Sequence, residues 1–129
     1  MPSLSNTKAF WMEGEGGKAF CAGGDVKTLY ENGASYEIRE EFFRHEFAMD
    51  YNLTKLKSLQ IANWDGIVMG GGVGISVNSP FKIATEKTMF AMPEGKIGFF
   101  TDVGACYFLS KMRSNIGYYL AMTSSRLTG

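Results

Sequence analysis

Between residues 35 and 57, apolar side chains return every three or four positions, at Ile38, Phe42, Phe43, Phe47, Met49, Leu53 and Leu56. That spacing predicts one long amphipathic helix with the stripe against the core, and Ser35 is of a type that caps a first turn. Glu37, Glu40, Glu41, Arg44 and Lys55 fall on the other side. Glu46 sits near the edge of the stripe, where a carboxylate either stays in water or turns into a cleft. The pattern favours water.

Elsewhere the apolar runs are short. Residues 8–13, 18–21, 60–64, 66–69, 81–85 and 89–92 read as strands, separated by glycine corners, by Glu86-Lys87 and by Pro93. Asn63 and Trp64 suit a buried strand less well than aliphatic residues do. Asp25 can cap a short helix over 26–30, Asn32-Gly33 marks a break, and Asp102 can cap a helix over 103–109. A last helix is expected over 117–122. Strands alternating with helices in this order imply an α/β domain with crossover connections. The chain opens almost directly into a strand and ends at Leu127-Thr128-Gly129 with no closing element in the pattern. The expectation is a single partial core domain over 1–129, cut at both ends.

Composition narrows the function classes. With 129 residues, 45% of them hydrophobic, the chain suits one modest domain with a real core. A formal net charge of zero gives no general case for nucleic acid or an anionic membrane surface, and no apolar run is long enough for a bilayer span. The first six residues resemble neither a signal peptide nor a transit sequence. Cys21 and Cys106 are too few for a disulfide framework, and their small apolar neighbours predict reduced, buried thiols. His45 is the sole histidine, in a charged helical stretch, so a histidine-based metal site or triad finds little support.

The chemistry concentrates at glycine. Gly70, Gly71, Gly72 and Gly74 lie between an apolar strand and the start of a helix, where backbone amides are open to a phosphate or a developing oxyanion. Packing alone explains such a turn equally well. No phosphate-loop lysine follows, and the dinucleotide-like Gly14-x-Gly16-x-x-Ala19 runs into no helix, so it is a chance match. A second corner, Ala22-Gly23-Gly24, has the same strand-to-helix setting. If the corners meet, each offers one N–H to a single oxygen. Glu94, held behind Pro93, and Asp102, eight residues on, then supply carboxylates for work on a carbonyl.

Together, the segment from Lys18 to Asp25, the run Asp65-Gly66-Ile67-Val68-Met69-Gly70-Gly71-Gly72-Val73-Gly74 and Phe90-Ala91-Met92-Pro93-Glu94 resemble the crotonase (enoyl-CoA hydratase/isomerase) superfamily. Met69 to Gly74, the stretch Ala84 to Lys87 and Asp102-Val103-Gly104 look most like its 3-hydroxyisobutyryl-CoA hydrolase branch, a mitochondrial thioesterase of valine breakdown. The resemblance implies a spiral of ββα units that binds an acyl-CoA, with coenzyme A as part of the substrate and no separate cofactor. It implies that the amides of Gly24 and Gly71 form an oxyanion hole and that Glu94 is the nucleophile or the base for water. Glu46 and Asp102 then contact the acyl group and its hydroxyl, with Asp102 also in the catalytic set. Ala22 and Lys27 fall toward the CoA moiety, although Lys27 reads equally well as a solvated helix lysine. In hydratases of the superfamily a glutamate stands where this chain has Gly74. Family members are longer and use the missing parts in subunit contacts, so assembly with copies of itself stays open. So do two rival readings: a hydratase or isomerase, and an inactive fragment.

Overall fold

The computed structural model describes residues 7–31 and 35–129; the Asn32-Gly33 break and the first six residues lie outside them. Seven strands and five α-helices follow one another: β1 (Ala9–Met12), β2 (Ala19–Cys21), α1 (Val26–Glu31), α2 (Tyr36–Lys55), β3 (Leu59–Trp64), β4 (Ile67–Met69), α3 (Gly71–Gly74), β5 (Phe81–Ala84), β6 (Met89–Ala91), α4 (Ala105–Leu109), α5 (Ile116–Thr123) and β7 (Leu127–Thr128). The strands sort by parity. β1, β3 and β5 form one parallel sheet, whereas β2, β4 and β6 run parallel in a second sheet that β7 closes. Each consecutive pair therefore gives one strand to each sheet before a helical segment carries the chain round. The result is a spiral of ββα units in connectivity; in hydrogen bonding it is two sheets whose first six strands run parallel, which needs such crossovers.

Local chemistry fixes the joints. Asp25 caps α1, with the Thr28 amide donating to its Oδ1 at 3.0 Å, and Ser35 accepts from the Ile38 amide at the start of α2. Trp64 extends β3 to its expected end. Its indole N–H donates to Ser76 Oγ at 2.9 Å, Ser76 Oγ donates to the Gly72 carbonyl at 2.7 Å, and the ring stacks on Phe90. An awkward strand residue thus ties β3 to the glycine turn. The core gathers Phe20, Val68, Val73, Phe90, Met92, Val103, Leu109 and Leu120, between the second sheet and the helices that follow it.

Four expectations change. No residue of α2 is buried, and Ile38 and Phe47 remain 55% and 42% exposed, so the stripe is not a core face. Its inward side carries Phe42, Phe43, Glu46, Asp50 and Leu53, all partly buried. Leu127–Thr128 is a closing element after all, antiparallel to β6 through Phe90↔Leu127. Cys106 is exposed and Cys21 only partly buried. Asp102 does not cap α4; Gly104 stands at that position, and the Asp102 carbonyl accepts from Ala105 at 2.7 Å.

Candidate active site

β2 ends in the corner Ala22-Gly23-Gly24, and β4 ends at Gly70 before α3; because β2 and β4 are neighbours, the corners arrive side by side. A Cβ added to Gly23 would lie 3.4 Å from the Gly71 nitrogen and 3.3 Å from the Met69 carbonyl. One added to Gly71 would lie 3.5 Å from the Gly24 nitrogen and collide with Glu46 Oε1. Neither the Gly24 nor the Gly71 amide has a backbone acceptor among the described residues. The two corners thus line one small space with the Glu46 carboxylate at its edge. Gly70, at φ 51° and ψ −122°, holds a conformation that L side chains rarely adopt, so glycine is required there to turn the strand into α3.

Glu94 enters from the third unit. Pro93 stops β6, and Glu94 opens a 3-10 turn over Glu94–Ile97 that Gly98 ends in the left-handed region. It is 6% exposed, Oε1 lies 2.8 Å from where a Cβ on Gly70 would be, and Oε2 is buried without a partner among the described residues. Burial raises its pKa, and the charges of Asp102 and Glu46 push the same way against its own backbone hydrogen bond. Burial, then the Asp102 charge, raises Glu46 as well. Asp102 is raised by burial against its own amide. Glu46, Glu94 and Asp102, from three separate segments, therefore share one electrostatic neighbourhood. The expectation that Glu46 stays in water is overturned: the helix turns it toward the glycine corners.

Asp50 had no place in the sequence reading. It lies one helical turn after Glu46, on the same face of α2, and that i,i+4 spacing was the available signal. Burial, then Glu46 and Asp102, raise its pKa to about 7. Next to Asp102 the backbone is strained. Val103 is buried at φ 43°, a conformation costly for a β-branched residue and common near functional sites.

Two cavities border these groups. One of about 350 Å³ is lined by Cys21, Gly23, Gly24, Phe42, Glu46 and Gly71, with the exposed His45 on its wall. The other, of about 1050 Å³, includes Asp50, Asp102, Val103 and Phe100 in its wall. Lys27 stands apart as an exposed helix lysine, 3.7 Å from Glu31, and Ala22 is exposed at the first corner. No group of three or more metal-ligating side chains converges among the described residues, and no described helix is long and apolar enough to cross a membrane.

A family model described as enoyl-CoA hydratase/isomerase matches residues 3–129. The chain belongs to the enoyl-CoA hydratase/isomerase family. Within it, the human protein named 3-hydroxyisobutyryl-CoA hydrolase, mitochondrial, is 47% identical over 119 residues, covering 92% of this chain and 31% of that protein. The Dictyostelium discoideum protein of the same name is 44% identical over 126 residues, which cover 92% of this chain and 33% of that protein. The chain thus spans about a third of the length of the curated relatives it matches. Among solved structures, a carnitinyl-CoA dehydratase from Mycobacterium thermoresistibile superposes with a TM-score of 0.87 at 33% identity, over 95% of this chain and 36% of that one. An enoyl-CoA hydratase from Rhodobacter sphaeroides gives 0.86 at 30%, over 94% and 36%. The crotonase-type α/β fold expected from the motifs is the one observed.

Proposed function

We propose that the site hydrolyses an acyl-CoA thioester, with 3-hydroxyisobutyryl-CoA as substrate and mitochondrial valine breakdown as setting. The observation that carries the reading is Glu94, buried beside Gly70 with an oxygen unpartnered among the described residues, at the turn whose next residue, Gly71, adjoins Gly24. The thioester carbonyl accepts from the N–H groups of Gly24 and Gly71, which hold the negative charge of the tetrahedral state. Glu94 either attacks the carbonyl carbon or takes a proton from the water that does. Its raised pKa brings it nearer to neutral pH, where a general base works best. Collapse breaks the carbon–sulfur bond and releases coenzyme A as the thiol. Identity of 44% and 47% to relatives named for this hydrolysis supports the choice of substrate and of compartment.

The rival is hydration of a double bond, which in this superfamily pairs Glu94 with a glutamate at position 74. At Gly74 a Cβ would stand 2.6 Å from Val103 Cβ and 2.7 Å from Asp50 Oδ2, so that place has no room for a side chain. The test is made in a chimaera that carries this chain in place of the matching third of the human hydrolase. Glu94→Gln is expected to lower thiol release from 3-hydroxyisobutyryl-CoA by about 10³-fold while substrate affinity changes little. Efficient hydration of crotonyl-CoA by the unmutated protein, with no thiol released, would remove the hydrolase reading.

A further inference from the structure

Asp50 is the acid of this cluster to which neither the motifs nor the proposed chemistry gives a role. Both its carboxylate oxygens are buried and neither has a hydrogen-bond partner among the described residues. A buried carboxyl left in that state is costly unless something supplies the missing partner. The side chain is also tightly placed, with Oδ2 2.7 Å from the point where a Cβ on Gly74 would stand and Val103 on the other side of that point. α2 sets it one turn from Glu46, and it shares the wall of the larger cavity with Asp102. A second unpartnered oxygen, Oε2 of the nine-tenths-buried Glu94, belongs to the same neighbourhood.

We propose that Asp50 is a specificity-determining residue, a third carboxyl that hydrogen-bonds the hydroxyl of the acyl group alongside Glu46 and Asp102. The assignment rests on the thioester-hydrolase reading of the same site. A hydroxyl both donates and accepts, so among clustered acids it satisfies one ionised carboxylate and one protonated carboxyl at once. The groups facing Asp50 are Glu46 from its own helix and Asp102 from the segment before α4; Lys8, Lys57, Cys106 and Tyr107 line the same cavity. α3 contributes no titratable side chain, and no described ion pair involves Asp50. Its pKa of about 7 leaves a proton on the carboxyl over much of the working range, which suits the donor half of that bond.

The experiment compares 3-hydroxyisobutyryl-CoA with isobutyryl-CoA, which lacks the hydroxyl, in the same chimaera. Asp50→Leu should lower kcat/KM for the hydroxylated substrate roughly 10- to 100-fold and leave the other nearly unchanged, while Asp50→Asn, which keeps a donor, recovers most of the loss. Equal losses on both substrates, or no loss on either, would overturn the assignment. A second readout needs no turnover. With ¹³C-labelled aspartate carboxyls, the resonance that disappears in Asp50→Asn should titrate near pH 7 and move on adding 3-hydroxyisobutyryl-CoA but not isobutyryl-CoA. A resonance that titrates below pH 5 and ignores both ligands would sink the proposal. An unmutated protein that releases no thiol but shows the selective shift would instead sink the hydrolase reading alone.

Discussion

The β4–α3 corner and helix α2 make an instructive pair. The corner has four glycines in five positions, a composition with little side chain to bury, yet Val68 just before it and Val73 within it are 0% exposed. α2 has seven apolar positions at helical spacing and buries none of its residues fully. The difference lies in what each element packs against. The corner is approached by the Cys21 backbone of β2 and by the loop carrying Val103, so its lack of side chains lets backbones close to contact distance. α2 meets the rest along one side, where Phe43 stacks with Phe99, Phe42 reaches Gly24 and the acids of the cluster turn inward. Periodicity states which face of a helix is apolar; the elements around it decide whether that face is covered.

The sharpest way to break this comparison is to add a carbon at the corner and to take side chain away from the helix. A Cβ on Gly72 would run into the Cys21 carbonyl carbon and Cβ, both at 2.8 Å, and neither backbone can retreat without opening the β2–β4 pairing. Gly72→Ala is expected to cost about 3 kcal/mol in urea unfolding. Truncating a side chain of α2 by Ile38→Ala should cost under about 0.5 kcal/mol, because the residue is more than half exposed. Equal costs would mean that α2 is as much a core element as the corner.

The second comparison sets buried acids against exposed ones. Asp50 has an ordinary value of 3.8 and a folded value of about 7. A carboxyl raised on folding favours the folded state while both states keep the proton; that advantage fades as pH climbs from about 4 to about 7. Asp25 and Asp65 are lowered instead, by bonds from Thr28 and from Thr85 and Lys87, so what they contribute is lost as pH falls through their range. Asp50→Asn should therefore flatten the decline of stability between pH 4 and 7 by about 2 kcal/mol, after allowance for its partial exposure. Asp25→Asn should leave that decline in place. A decline unchanged by Asp50→Asn would show that its carboxyl is not desolvated.

Much of this was legible in the residues. Ser35 and Asp25 cap the helices they were expected to cap, because a cap is a local contact between a side chain and an amide three residues on. The glycine corners and Glu94 come together as the motifs imply. What could not be read was long-range. The periodicity left Glu46 in water and only the resemblance put it at the acyl group; it turns to the cleft because α2 lies beside the corner, a fact of tertiary placement. Asp50 escaped notice because an acid at i+4 from another acid is, on a solvated helix, only a surface repulsion. β7 was missed because two residues carry too little pattern to announce a strand; only the partner β6 makes them one.

The smallest effect distinguishes two serines held at positive φ, one in each kind of setting. Ser124 ends α5 at φ 52°, is 2% exposed, and its buried hydroxyl has no partner among the described residues. Ser114, at φ 58°, lies in an exposed turn. Glycine at either position relieves the left-handed strain of about 1 kcal/mol, and at either it adds freedom to the unfolded chain, which offsets most of that gain. Only at Ser124 does the change also remove a desolvated hydroxyl, whose burial costs about 1 kcal/mol or more when unpaired. Ser124→Gly should then stabilise the protein by about 0.5–1 kcal/mol, and Ser114→Gly should be close to neutral, both read from urea midpoints at pH 7. The hydroxyl also lies 3.1 Å from where a Cβ on Gly95 would be, beside the turn that carries Glu94. A destabilised Ser124→Gly would mean that the hydroxyl has a partner, a bound water at the foot of the Glu94 turn, and that the buried region is wetter there than its packing implies.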